Sequence, residues 1–381
     1  MRLREHRAVI AMQPLASHRL NERRHDIAAA TVARLLDLYP HLAAHAQGGS
    51  LQRYMDQTLF HAAHLSQAMA FDVPQLFLEY ACWARAVWSS AGIPEAHLTA
   101  NLEALASVLP DFVPAAEAHA GAAIIEGALR ACEDPSTARS DPLYCSRDSL
   151  QGVSYIDDAH PLGALARRVV EAILALRRNE AAALLHQAAG AGVSVPDLYV
   201  RVLQPALYEL GLLWQTNLIS VALEHYGSAV AQMLIDQLQE RLPRPAATRG
   251  RAVVACAPGE AHECGARMVA YLLQAAGWET SHLGANVPAD AVIDIVERAE
   301  AHALCLSVSG ATHLCKAAAL IAELRARRGR SVLVLLGGGV LNRVPELWRR
   351  LGGDAYAADA IGAVEVLAAA ARGDDSAWRP R

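Results

Sequence analysis

Apolar residues recur at three- and four-residue spacing through the first 240 positions, and that period predicts helix after helix. The runs IAAATVARLLDLY (27–39), LQRYMDQTLFHAAHLSQAMA (51–70) and PQLFLEYACWARAVWSSA (74–91) each carry one apolar face. Pro74 suits a first helical turn, Gly92-Ile93-Pro94 closes that helix, and Pro94 opens EAHLTANLEALASVL at 95–109. A further helix is predicted over 114–132, and no strand-like alternation intervenes. Residues 1–140 are therefore expected to form an all-helical domain of globin or bundle size. From 133 a run rich in Pro, Ser, Asp and Gly breaks the period, and 141–158 reads as a linker. Four more helical runs joined by short loops fill 159–243 and predict a four-helix bundle.

After a second short linker at 243–250 the pattern changes. RAVVACAP, WETSHLG, ALCLSVSG and SVLVLLGGG read as strands, each followed by a helical run, with AYAAD leading into the last helix. Strands this apolar, alternating with helices, predict a doubly wound parallel sheet covered on both faces over 250–381. The expected fold class is thus α plus α/β: a helical domain, a helical bundle and a Rossmann-like base.

Composition agrees. Of 381 residues 53% are hydrophobic and 19% charged, enough for sizeable cores and unlike a disordered chain. Thirty-four basic against 39 acidic residues give a net charge of -5, which argues against general nucleic-acid or membrane-surface binding. The seven cysteines (Cys82, Cys132, Cys145, Cys256, Cys264, Cys305 and Cys315) are odd in number and form no C-x-x-C pair. They indicate free thiols rather than a disulfide framework or zinc ribbon. No apolar run is long enough to span a bilayer, so a cytoplasmic protein without membrane contacts is expected.

The chemistry is expected at the carboxyl ends of the strands, where doubly wound sheets bind ligands. The first strand runs into Glu260, His262 and Gly265 in an E-x-H-x-x-G loop. An imidazole there can ligate a transition metal, with the carboxylate setting its tautomer. The third strand ends in Ser307 and Ser309, and the fourth in Gly337, Gly338 and Gly339. A loop histidine is more often plain surface, and a glycine triplet more often a tight turn. Their coincidence at successive strand ends of one sheet outweighs both readings. Neither G-x-G-x-x-G nor a P-loop is present, which lowers the odds of a dinucleotide or NTP site.

E-x-H-x-x-G, S-x-S and a GG turn in this order resemble the cobalamin-binding Rossmann-like domain, over about 250–372, with the preceding bundle as its corrin cap. The resemblance implies that His262 is the lower axial cobalt ligand, in place of the cofactor's dimethylbenzimidazole. It also implies that the nucleotide tail lies along Ser307, Ser309 and Gly337–Gly339. Glu260 stands where many members have Asp, as it often does in the light-sensing branch. Trp214 followed by Glu224-His225, W-x9-E-H, is similar to the signature of CarH-type photosensory cobalamin proteins. There the tryptophan shapes the pocket of the adenosyl group, and the Glu-His pair lies over the same face. Those sensors have a histidine after the tryptophan that ligates cobalt after illumination. This chain has Gln215, so the upper position after light falls to His225 or to water.

No DNA-binding head reads out before residue 159, so no direct nucleic-acid contact is expected. A helical module ahead of such a domain resembles the photocobilins, which add biliverdin in a globin-like domain. Arg53, His61, His64, Tyr80, Trp83 and Arg85 on neighbouring predicted helices are the candidate bilin contacts. Non-covalent binding is favoured over a thioether at Cys82, Cys132 or Cys145. The expectation is a non-enzymatic light sensor with adenosylcobalamin and biliverdin, signalling through homo-oligomerisation (dimer or tetramer) and a separate downstream protein, with no fused effector. A corrinoid methyl carrier and a non-switching cobalamin-binding protein are the alternatives.

Overall fold

The computed structural model describes residues 19–40, 50–133, 142, 153–245 and 249–371. The chain divides into two units, Met1–Ser149 and Leu150–Arg381.

Among the described residues the first unit is all helix: α1 (Arg24–Leu38), α2 (Ser50–Phe71), α3 (Gln75–Ser90), α4 (Glu95–Val108) and α5 (Ala115–Glu133). Small side chains set the packing distances. Ala100 and Ala104 of α4 let it lie directly against Leu35 of α1. The α2–α3 contact is aromatic instead: the His64 ring stacks on Tyr80 with centroids 3.8 Å apart. A buried hydrogen bond from Thr58 Oγ1 to Asn101 Oδ1 (3.1 Å) ties α2 to α4.

The second unit opens with α6 (Gly163–Leu174) and α7 (Arg178–Gly190). A π-helical stretch, Leu198–Leu203, then leads into α8 (Gln204–Gln215), followed by α9 (Val221–Gln239). The fully buried Tyr199 lies in the π-helical stretch and donates its hydroxyl proton to Ile235 O (2.7 Å), pinning this segment to α9. Gly227 permits a close crossing, since a Cβ there would meet Leu210 Cδ1 at 2.7 Å.

The base follows: β1 (Gly250–Cys256), α10 (Cys264–Ala275), β2 (Trp278–His282), α11 (Ala289–Arg298), β3 (Ala303–Ser307) and α12 (Leu314–Arg328). It continues with β4 (Leu333–Gly337), α13 (Gly339–Arg343), α14 (Leu347–Arg350), β5 (Ala355–Tyr356) and α15 (Ala360–Ala371). The sheet has order β2-β1-β3-β4-β5, and every pairing is parallel. This is a Rossmann-like α/β architecture. One strand goes beyond the four that the apolar runs predict. β5 pairs only Ala355 and Tyr356 with Leu335 and Leu336, and two residues are too few to show a period.

Alternate strand residues feed two cores. Val254, Cys256, Cys305 and Leu335 face Ala270 and Leu273 of α10 and Leu367 of α15. Val253, Leu304, Val334 and Leu336 on the other face are wholly buried. Each such aliphatic side chain contributes roughly 1.5–3 kcal/mol. The register aligns Cys256 with Ser307 and Ser307 with Gly337, so three strands end on one line. β2 lies on one side of β1 and the later strands on the other. The switch in strand order therefore falls between β1 and β3, where a crevice forms. Among the described residues, no helix is long and apolar enough to cross a membrane.

Candidate functional site

Glu260, in the loop after β1, is wholly buried, and all its hydrogen-bonding capacity is used. Its Oε1 accepts from the backbone N of His262 (3.1 Å) and lies 2.5 Å from His262 Nδ1. Its Oε2 accepts from the backbone N of Ser309 (2.9 Å) and of Gly310 (2.8 Å). Burial pushes the carboxyl's pKa up, but the His262 ring and the N–H donors outweigh it and hold the group at about 2. The carboxylate thus clamps the β1 loop to the β3 loop and orients the imidazole between them.

A carboxylate can only accept, so the His262 proton sits on Nδ1 and Nε2 carries the lone pair. The bond to Glu260 raises the ring's pKa, as does the charge of Glu224 in the helical cap. The His262 side chain is 78% exposed, so the nitrogen available to a metal belongs to a ring that is anchored yet presented to solvent. Gly265, in the first turn of α10, leaves open space beside it: a Cβ built there meets nothing within 4 Å.

The floor of the crevice is backbone. Val308 N donates to Gly337 O (2.8 Å) and Val340 N to Ser309 O (3.1 Å), lacing the β3 and β4 loops together. Gly338 has φ 111°, and a Cβ on it would lie 2.3 Å from Val308 O. Only glycine fits that position. At Gly337 a Cβ would come within 2.8 Å of Ala357 O, whereas Gly339 has ordinary room. Ser307 and Ser309 are half-buried beside this floor.

In the cap, Trp214 occupies the last turn of α8. Ser220 accepts from Leu223 N as the N-cap of α9, which puts Glu224 and His225 in that helix's first turn. The short α8–α9 connection therefore brings W-x9-E-H to one end of the bundle. Trp214, Leu218 and Val221 are 38%, 44% and 54% exposed, an apolar surface. Glu224 accepts from Ser228 Oγ (2.9 Å) and pairs with His225 Nδ1 (2.9 Å), leaving the His225 side chain 74% exposed. The cap thus carries a second Glu–His pair built like the one on the base. Gln215 is not part of this surface, since it is 5% exposed. Polar contacts hold α9 to α10: Gln232 to Glu263 (3.1 Å), Arg267 to Asp236 (3.0 Å) and Tyr271 to Asp236 (2.7 Å).

Residues 165–239 and 250–367 each match a family model described as a B12 binding domain. The second half of this chain is a cobalamin-binding module. Over 90 residues it is 36% identical to the HTH-type transcriptional repressor CarA of Myxococcus xanthus, a match covering 24% of this chain and 29% of that protein. The chain thus spans less than a third of that relative. Among solved structures, the monomethylamine corrinoid protein of Methanosarcina barkeri aligns over 54% of this chain and 98% of its own, with 22% identity and a TM-score of 0.47. A cobalamin-binding protein of Desulfitobacterium hafniense DCB-2 aligns over 53% and 97%, with 19% identity and a TM-score of 0.30.

The residues of the cobalamin-binding module suit a corrin. An exposed imidazole with a free Nε2, a side-chain-free position beside it and a glycine-lined crevice lie on the base, and an apolar indole lies on the cap. His262 would hold the cobalt. Gly338 and its neighbours would admit a nucleotide tail close to backbone.

In the helical unit, His61 is 1% exposed, with Nδ1 2.5 Å from Tyr80 Oη and Nε2 unpartnered. His64 and Tyr80 are buried too. Trp83 is half-buried, and Arg53 is exposed on the same face of α2 as His64. Arg85 lies 4.0 Å from Glu95. The structure adds Phe60, which motif reading passes over: 45% exposed, its ring is 4.5 Å from His64 and 6.3 Å from Trp83. Its spacing four residues before His64 is the signal that marks it. Cys82 and Cys132 are buried, while Cys145 lies outside the described residues.

Proposed function

We propose that this protein is a non-enzymatic light sensor that binds adenosylcobalamin between its helical cap and Rossmann-like base. The observation that carries this reading is the pairing of two Glu–His dyads, Glu260–His262 on the base and Glu224–His225 on the cap, with the exposed Trp214 at the cap's end. When bound, adenosylcobalamin supplies a cobalt–carbon bond that visible light cleaves. His262, oriented by Glu260, would hold the cobalt. Trp214 offers its face to adenine, and Glu224 accepts from ribose hydroxyls. His225, 74% exposed, would be the cap imidazole available to the cobalt once the adenosyl group is lost, a role that the buried Gln215 would not serve. The local match to a transcriptional repressor supports a regulatory rather than a catalytic role.

Signalling by this reading is a change in self-association passed to a separate protein, for which the exposed apolar surface of Trp214, Leu218 and Val221 would be the responsive patch. The helical unit takes biliverdin without a covalent bond, on the Phe60–Trp83 surface with Arg53 available to a propionate. The test is an absorption spectrum and a size-exclusion profile of the full chain with adenosylcobalamin and biliverdin, before and after green light. A spectral change with altered elution supports the sensor. Bound cofactor whose spectrum and elution both ignore light refutes it and leaves a methyl carrier or a non-switching binder.

A further inference from the structure

A polar and a cationic side chain, His313 and Lys316, flank the loop that carries His262. A Cβ built on Gly259 would lie 2.9 Å from Lys316 Nζ and 3.1 Å from His313 Nδ1. One built on Gly310 would lie 3.2 Å from His313 Cδ2 and 3.7 Å from Glu260 Oε2. His313 and Lys316, around the start of α12, therefore converge on the loop that carries His262. His313 Nδ1 is buried without a hydrogen-bond partner. Among the described residues Lys316 forms no ion pair. Glu260 has no further lone pair to offer either side chain, because its oxygens are taken by His262, Ser309 and Gly310. A buried nitrogen without a partner and an ammonium without an acid, side by side, make a site short of one anion.

Resting on the cobalamin reading, we infer that His313 and Lys316 bind the phosphodiester of the cofactor's nucleotide arm. Cobalamin's corrin side chains are neutral amides, and the phosphodiester is its one anionic side group. When His262 replaces the cofactor's base, the arm leaves the corrin on the face of that ligand, and its short linker keeps the phosphate close to the ligand loop. An ammonium and an imidazole N–H suit two phosphate oxygens.

The test compares hydroxocobalamin with cobinamide, which has the same corrin and cobalt but neither base nor phosphodiester. Both are titrated by absorbance into the full chain, as wild type, Lys316→Met, Lys316→Arg and His313→Gln. Lys316 is exposed, so the methionine keeps the stem and removes only the charge. Loss of one charge-assisted contact is expected to weaken hydroxocobalamin binding about tenfold or more in Lys316→Met and His313→Gln. Cobinamide binding is expected to stay unchanged, and Lys316→Arg to restore most of the loss. Equal weakening of both corrinoids, or of neither, overturns the assignment while leaving cobalamin binding intact. Failure of wild type to bind either corrinoid overturns the cobalamin reading itself.

Discussion

The helical unit is expected to lose stability in acid through one side chain, His61. Its ring is fully enclosed: Nδ1 contacts the Tyr80 hydroxyl at 2.5 Å, Nε2 has no partner, and Trp88 lies 5.9 Å from its centre. Burial, reinforced by the neighbouring His64, lowers its pKa from 6.5 to about 3. Because the folded ring binds its proton less readily than the unfolded one, unfolding takes up a proton once the pH falls below 6.5. The contribution is complete above that value and lost as the pH descends toward 3. Linkage puts the loss at about 3 kcal/mol by about pH 4.5, tending to about 5 kcal/mol in stronger acid. Domain stabilities of roughly 5–15 kcal/mol make that decisive. The assay is hydrogen exchange of α2 and α3 amides in the full chain, corrected for intrinsic rates, at about pH 7 and about pH 4.5. His61→Gln, neutral at both, is expected to flatten the dependence. A wild-type protection energy that does not move with pH, or an unchanged slope in the variant, refutes the reasoning.

The remaining predictions concern the module. Glu260→Gln leaves two of the four N–H donors facing an amide NH2, so cobalamin affinity is expected to fall about 10–100-fold, checked by absorbance titration. Gly338→Ala sets a Cβ against the Val308 backbone and is expected to cost about 3 kcal/mol or more in chemical denaturation, whereas Gly339→Ala costs under about 1 kcal/mol. Trp214→Ala is expected to change stability by about 1 kcal/mol or less, since the indole is 38% exposed. It is expected to weaken adenosylcobalamin about tenfold and to spare hydroxocobalamin, which competition binding measures.

Much of the architecture is readable from local pattern. α2 through α9 repeat apolar residues at the helical period, and β1, β3 and β4 are short continuous apolar runs between helices. β5 escapes that reading because its two residues gain their identity only from Leu335 and Leu336 beside them. The site divides in the same way. E-x-H-x-x-G and W-x9-E-H name the groups, because each depends on residues close in the chain. Phe60, His313 and Lys316 belong to no such spacing, and their neighbours lie on other elements.

The sequence by itself determined most of the helical and strand segments, where the helical period gives way to strand–helix alternation, and which residue types stand at the strand ends. These follow from hydrophobic period and from the conformational limits of Gly and Pro, which act over a few residues. Only the tertiary structure decided the strand order, the burial of Gln215 beside an exposed Trp214, and the clamp that joins Glu260 to Ser309 and Gly310. The clamp bridges a separation of 49 residues to Ser309, and it forms because parallel pairing brings β1 and β3 side by side at their carboxyl ends. A buried carboxylate must find donors wherever the fold places them, and here they come from the next loop along the sheet edge.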